Sequence, residues 1–262
     1  MAQFFHAALA ENTYLISDDS FGTGLTFGKP TANSYLIVGE NRALLFDLAV
    51  PAPSLRQYTQ ALAQKPLLTV ISHGHPDHIY HMEDFDVLWL NQADWDFPLC
   101  ALAGAELPKK CPQLCDAPDG MQFDLGGRIL DVIAIPGHTM GSILLFDRQT
   151  GILFSGDTVA RRLLYGLTGC PSLAQFCDDL QKLQRLPIQK IYSAHDRAAL
   201  PPDYPAYMTR MLQTKLSAAA ETWQSPGFPL MRRLVAGDEA SPDFFDAAVP
   251  DTLLQEENTH AI

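Results

Sequence analysis

Positive charge is scarce in this 262-residue chain: 18 Lys+Arg stand against 30 Asp+Glu, for a formal net charge of −12. A general binder of phosphate backbones needs a cationic footprint, so nucleic acid is not an expected partner. Cysteine is scarce too. The five present (Cys100, Cys111, Cys115, Cys170, Cys177) are odd in number and irregularly spaced. That argues against a disulfide framework and for reduced thiols in the cytoplasm. Cys100, Cys111 and Cys115 lie near one another but have no convincing fourth ligand beside them, so they read as ordinary thiols rather than a metal site. No run of 18 apolar residues occurs, so no membrane-spanning helix is expected. Met1–Ala7 has no basic segment ahead of a long apolar run and does not read as a secretory leader. Low-complexity segments and short-period repeats are also missing.

What is present describes a globular protein, with 47% hydrophobic, 10% aromatic and 18% charged residues. A chain of this length buries roughly 70–75% of its unfolded surface and needs no disulfides to hold a core. Asn33–Val38 and Arg42–Phe46 are β-prone runs around Gly39-Glu40-Asn41, the pattern of a hairpin. Ser54 with Gln57 predicts a capping box and a helix over 54–64, which Pro66 stops. Leu67–Ile71 is a continuous apolar run, as in a strand covered on both faces, and Val87–Leu90 is a further strand. In the second half Arg128–Ile135 reads as a strand. Ser142–Phe146 and Ile152–Ser155 flank a second hairpin turn. Ser172 with Gln175 predicts a capped helix whose Leu173, Phe176, Cys177, Leu180, Leu183 and Leu186 form one apolar face. Lys190–Ser193 is a last short strand. After Pro201, Pro202 and Pro205 a helix over 206–224 is expected. Its Tyr207, Met208, Met211 and Leu212 offer a face to a second subunit in a homodimer or, more simply, to their own domain. Hairpins, helix and strand in repeated order point to an α/β protein, sheets covered by helices.

The chemistry-bearing residues stand at strand ends. Directly after Leu67–Ile71 comes Ser72-His73-Gly74-His75-Pro76-Asp77-His78, which holds three of the chain's eight histidines. In an extended loop His73 and His75 project to one side, and as the chain turns, Asp77 and His78 face a neighbouring point. Four such ligands crowd one tetrahedral site, so the spacing suits two metal ions side by side. Imidazole and carboxylate without thiolate fit zinc, and also iron or manganese. His138, Asp157 and His195 each follow an apolar β-run and a small residue. Any one of them alone reads as an ordinary hydrogen-bonded side chain. Seven such residues landing together at strand ends do not.

The pattern H-x-H-x-D-H (His73–His78), then P-G-H-T-x-G-S around His138, S-G-D-T around Asp157 and the late His195 resembles the metallo-β-lactamase-fold hydrolase superfamily, over residues 31–200. The resemblance implies an αββα sandwich of two mixed β-sheets flanked by helices, filling 1–200. A C-terminal helical extension would then span 201–262 and pack on that core. It implies two divalent metal ions, zinc first. His73, His75 and His138 resemble the ligands of one, Asp77, His78 and His195 those of the other, and Asp157 the bridging carboxylate. Asp47 resembles the family's early aspartate that orients ligand imidazoles. The implied reaction is hydrolysis: a hydroxide shared by the two metals attacks an ester, thioester, lactone or related bond of a small molecule, with Asp77 orienting it and relaying its proton.

Glyoxalase II-like thioesterases and acyl-homoserine lactone lactonases are the subgroups nearest in motif, and neither matches throughout. From Pro201 onward four Lys+Arg face nine Asp+Glu, a poor match to a glutathione pocket. Ala160 stands where the lactonases carry Tyr. Ile79-Tyr80-His81 replaces the Gly pair that often follows H-x-H-x-D-H. His81 reads as a polar residue near the cleft. Arg161, Arg162 and Tyr165, just after Asp157, are candidates for binding an anionic group, against ordinary loop charges. Trp89, Trp95 and Trp223 read as packing residues. A persulfide dioxygenase-like oxidoreductase with one iron is the alternative function. A phosphodiesterase or nuclease, and a metal-stabilised binding module, rank below it.

Overall fold

A computed structural model describes residues 4–18, 32–49, 54–96, 112–166, 169–196, 198–215, 221–224 and 229–254. Its architecture is the expected αββα sandwich. The first sheet has seven strands in chain order: β1 (Phe4–Ala10), β2 (Thr13–Asp18), β3 (Ser34–Val38), β4 (Ala43–Phe46), β5 (Leu67–Val70), β6 (Val87–Leu90) and β7 (Gln113–Asp116). The first four pair antiparallel and the last three add in parallel. The second sheet holds β8 (Gln122–Asp124), β9 (Ile129–Ala134), β10 (Ile143–Asp147), β11 (Ile152–Gly156) and β13 (Lys190–Ser193), in the order β13-β11-β10-β9-β8. It is antiparallel except where β13 joins β11.

Side-chain alternation explains the layering. In β3 and β4 Tyr35, Ile37, Leu44 and Phe46 point inward and meet Leu130, Val132, Leu145 and Phe154 of the second sheet. Their neighbours Leu36, Ala43 and Leu45 point the other way, onto Leu55 and Ala63 of α1 (Leu55–Ala63). Both faces of these strands are therefore buried, which is why they read as unbroken apolar runs. The outer face of the second sheet is covered by α2 (Leu173–Gln181) and α3 (Tyr204–Lys215). Far from the strand ends that carry the histidines, Arg128 pins the two sheets together. It pairs with Asp147 at 2.5 Å and donates to Thr13 Oγ1 and to the carbonyls of Asn12 and Val38, all while buried.

Three local expectations change. Ser54 sits at φ 74 with no capping hydrogen bond from its side chain, so the box with Gln57 does not form. In α2 the Ser172 hydroxyl does accept from Gln175 N, but the Gln175 amide turns to Asp179 instead of returning to the cap. The helix expected to reach residue 224 is described only to Lys215, and Glu221–Trp223 is a strand, β14. It pairs with β15 (Met231–Ala236), and β15 pairs with β16 (Phe245–Pro250). With β12 (Arg162–Leu164) these form a third sheet, in the order β12-β16-β15-β14. Among the described residues, the stretch after 201 thus contributes α3, three strands and a helical turn over 251–254, where a helical extension was expected. Met208, Met211 and Leu212 are buried in the same cluster as α2 and β16. Cys100 and Cys111 lie outside the described residues; Cys177 is buried, and Cys115 and Cys170 are half-buried. No helix among the described residues is long and apolar enough to cross a membrane.

Candidate metal centre

Five loops meet at one edge of the two sheets. Asp47 follows β4, the His73–His78 loop follows β5, His138 follows β9, Asp157 follows β11 and His195 follows β13. Backbone hydrogen bonds stitch these loops together: Leu48 N to the His78 carbonyl, Ile143 N to the Ser72 carbonyl and Ala194 N to the Gly156 carbonyl. Gly156 lets the Asp157 loop pass close to Ser72. It has φ +51, and a Cβ there would sit 2.7 Å from the Ser72 Cβ.

All seven side chains singled out in the sequence converge, in two groups. One ligand atom each from His73, His75, His138 and Asp157 lies within 4.8 Å of the others, and the same holds for Asp77, His78 and His195. In the first group His75 Nδ1 stands 2.8 Å from His73 Nε2 and 2.7 Å from His138 Nε2, and those two Nε2 atoms are 3.1 Å apart. Their partners fix the tautomers. His138 Nδ1 donates to the Leu164 carbonyl at 2.5 Å. Ser72 Oγ gives its proton to Asp47, so His73 Nδ1, at 2.9 Å, donates to it. Both Nε2 atoms therefore carry bare lone pairs, and a single proton on His75 Nδ1 can satisfy only one of them. Burial and the neighbouring imidazoles hold His73 and His75 well below the ordinary imidazole range, and burial lowers His138. Three neutral imidazoles aiming lone pairs at one point suit a cation.

In the second group carboxylates govern the imidazoles. Burial works to lower His78, but the carboxylates of Asp47, Asp157 and Asp77 outweigh it and hold the ring well above its usual range. His195 behaves alike: against burial, Asp157 and Asp77 raise it to about 9. Burial would raise Asp157, and His195 and His78 pull it far below a normal carboxylate. Asp157 lies between the groups. Its Oδ2 is 3.4 Å from His138 Nε2 and 3.1 Å from His195 Nε2, and its Oδ1 is 3.4 Å from His78 Nε2. Among the described residues His78 Nε2 and Asp157 Oδ1 are buried without a hydrogen-bond partner, which a native fold tolerates only when something else meets them. The donor set therefore fits divalent metal.

Asp47, expected from the resemblance to orient ligand imidazoles, bonds one of them directly. Fully buried, it accepts from Ser72 N at 2.7 Å, Ser72 Oγ at 2.9 Å and His78 Nδ1 at 2.9 Å. It does so from a left-handed backbone, φ 65. The remaining candidates are engaged elsewhere. His81 Nδ1 lies 3.3 Å from Asp84, and its ring packs near Phe4 and Tyr80. The Arg161 guanidinium donates to the Ser241 carbonyl and lies 3.9 Å from Asp196. Arg162 pairs with Glu239 and lies over the Phe244 ring. Tyr165 is buried, and its hydroxyl donates to the carbonyls of Pro171 and Ser172. Trp89 packs edge-on to Phe123, and Trp95 donates to the Leu90 carbonyl. The sequence reading passed over one residue, Asp94, in the turn Gln92–Asp94 after β6. It is buried, and it binds both the His73–His78 loop and the His138 loop. Its signal is the one that marked Asp157, a carboxylate just beyond an apolar strand.

Comparison with known proteins agrees with this geometry. The Metallo-beta-lactamase superfamily model matches residues 28–89, which carry Asp47 and the whole His73–His78 loop. The chain is 26% identical over 227 residues to the acyl-coenzyme A thioesterase MBLAC2 of Gallus gallus, covering 73% of this chain and 80% of that protein. It is 34% identical over 171 residues to a hydroxyacylglutathione hydrolase of Aeromonas salmonicida. That match covers 62% of this chain and spans only 60% of the relative's length. The fold matches a metallo-beta-lactamase from Pontibacter korlensis with TM-score 0.64 at 21% identity, over 81% of this chain and 100% of that one. Hydrolase relatives and a His/Asp cluster able to bind metal both support a metal-dependent hydrolase. Its motifs, its αββα fold and its relatives together support a place in the metallo-β-lactamase superfamily.

Proposed function

We propose that the chain is a binuclear metallohydrolase acting on small acyl substrates, thioesters first, with esters and lactones as the neighbouring class. His73, His75 and His138 would hold one divalent cation, Asp77, His78 and His195 the other, with Asp157 shared. Zinc is the first candidate for both. The observation that carries this reading is the position of Asp157, whose two oxygens face imidazoles of both groups at 3.1–3.4 Å. Bound there, such a pair of cations supplies a water acidified towards neutrality and a Lewis acid for the acyl oxygen.

The chain's own residues do the rest. Asp157 cancels positive charge at the centre of the site. Asp77 is 18% exposed, with Oδ2 3.4 Å from His195 Nε2 and 3.8 Å from His78 Nε2. It would take a proton from the attacking water and pass it to the leaving group. Asp47 keeps the His78 proton on Nδ1, and the Leu164 carbonyl does the same for His138. The thioester preference is supported by two hydrolase relatives whose names specify acyl-coenzyme A and hydroxyacylglutathione. Against a glutathione-type pocket, Arg232 and Arg233 are paired with Asp251 and Asp246.

The test is elemental analysis of purified protein together with turnover on a panel of thioesters, esters, lactones and phosphodiesters. Two zinc ions per chain and thioester cleavage abolished by His75→Ala or Asp157→Ala are the expected results. One iron per chain with O2 consumed on a persulfide would replace the proposal with the oxidoreductase reading, and turnover surviving in either variant would refute the site.

A further inference from the structure

Asp94 belongs to neither group of candidate ligands, yet it touches the immediate neighbours of three of them. Its Oδ2 accepts from Gly74 N at 2.8 Å, the amide between His73 and His75, and from Thr139 Oγ1 at 2.7 Å, next to His138. Its Oδ1 accepts from Gly141 N at 2.8 Å. The side chain is 4% exposed, and all three donors come from the two loops, none from a cation. Charge-assisted bonds of this kind are short and directional. The clamp extends one step further. Ser142 Oγ lies 2.9 Å from Thr139 Oγ1 and accepts from Thr139 N, so with its own proton on Thr139 the threonine hydroxyl is oriented towards Asp94.

The turn that carries Asp94 is itself pinned. Asn91 caps it through Ala93 N at 3.0 Å, Gln92 N donates to Asp116, and Trp95 Nε1 donates to the Leu90 carbonyl. Gly141 has no room for a side chain, because a Cβ there would stand 2.6 Å from Asp94 Cγ. The carboxylate and the glycine are therefore fitted to each other. We infer that Asp94 is a positioning residue: it sets the separation of the His73/His75 loop from the His138 loop, and so selectively fixes affinity at the three-imidazole site. The Asp77/His78/His195 group is oriented by Asp47 and makes no contact with Asp94 among the described hydrogen bonds. This inference rests on the two-cation reading above.

The experiment is competition of metal-free protein with a chromophoric zinc chelator. Wild type, Asp94→Asn, Asp94→Ala and Thr139→Val are compared, and each metal-free protein is also unfolded thermally. In wild type two equivalents are expected, one of them absent in His138→Gln. Asp94→Ala should weaken that same equivalent tenfold or more, Asp94→Asn less because one acceptor remains, and the other equivalent should stay within threefold. Equal shifts at both equivalents, or none with only a lowered melting temperature, would reduce Asp94 to a structural residue and overturn the inference. If Asp94→Ala does not fold, Thr139→Val decides: a threefold or greater loss at the His138-dependent equivalent supports the clamp, and no change refutes it. Wild type binding one zinc would refute the two-cation reading while leaving the clamp to be judged at that one site. Wild type binding none would refute both.

Discussion

Replacing Asp47 by Asn separates the electronic role of this carboxylate from its role in the fold. Asn fills the same volume and, after glycine, is among the residues most tolerant of the left-handed backbone found here, φ 65. Its carbonyl can still accept from Ser72 N. Its amide, however, must face Ser72 Oγ and His78 Nδ1, both 2.9 Å from Asp47 Oδ2. An amide N–H pointing at Nδ1 turns that nitrogen into an acceptor and moves the His78 proton to Nε2. That is the atom facing Asp77 and Asp157, so a metal must then compete with a proton. Losses of about 10–100-fold in metal affinity are usual for such orienting partners. Exchanging charge-assisted bonds for neutral ones costs the metal-free fold only about 1–2 kcal/mol. Asp47→Ala differs: three buried donors lose their acceptor, and the cost rises to about 3–5 kcal/mol. Chelator competition and chemical denaturation of the metal-free proteins measure the two quantities separately. If Asp47→Asn binds both equivalents as tightly as wild type, the tautomer argument is wrong.

Arg128→Ala should destabilise the fold by about 3–5 kcal/mol, because it leaves Asp147 buried without its cation and unpins the two sheets. Denaturant unfolding reads this, and a loss under about 1 kcal/mol would contradict it. With metal removed, the raised His195, at about 9, stabilises the fold most below its unfolded value of ~6.5, and this contribution fades as pH climbs through 9. The melting temperature of metal-free protein should therefore fall across that interval, with a flatter profile in His195→Gln; a rise would refute the assignment. Arg162→Ala removes an ion pair to Glu239 and a cation–π contact at 5.0 Å, so stability should drop by less than about 1 kcal/mol. Its KM should be unchanged on anionic and neutral substrates alike, and a rise confined to anionic ones would restore Arg162 as a recognition residue.

The parts of this protein legible in its sequence are those whose signal is local. β3, β4 and β5 announce themselves as apolar runs because both of their faces are covered. The seven site residues stand out because they follow such runs at strand ends. What stayed hidden depends on partners far along the chain. β12 is only three residues long, and its register is fixed by Asp246, Ala247 and Ala248. Glu221–Trp223 is a strand only because Met231–Arg233 lies beside it. Arg161, Arg162 and Tyr165 looked available because they follow Asp157, yet adjacency gives no direction. Their partners are Asp196 and Ser241, Glu239, and the carbonyls of Pro171 and Ser172. Asp94 was missed for the same reason: its three donors sit at positions 74, 139 and 141.

The third sheet ties the C-terminal segment to the candidate metal centre. Leu164 closes β12, and its carbonyl takes the Nδ1 proton of His138, leaving Nε2 bare. β12 is an edge strand whose described strand partner is β16: Leu164 stands opposite Ala248, Tyr165 N donates to the Ala248 carbonyl, and Asp246 N donates to the Arg161 carbonyl. β16 is in turn buried throughout and sealed by Arg233, which makes two bonds to Asp246 at 2.7–2.8 Å. Loosening this pair should therefore be felt at His138 before it is felt in the sandwich. Arg233→Ala is expected to weaken the same zinc equivalent that depends on His138, and to do so at temperatures where far-ultraviolet circular dichroism still reports an intact fold. Loss of zinc only in step with global unfolding would instead make β15 and β16 a cover for α2 and α3, with no hold on the imidazole.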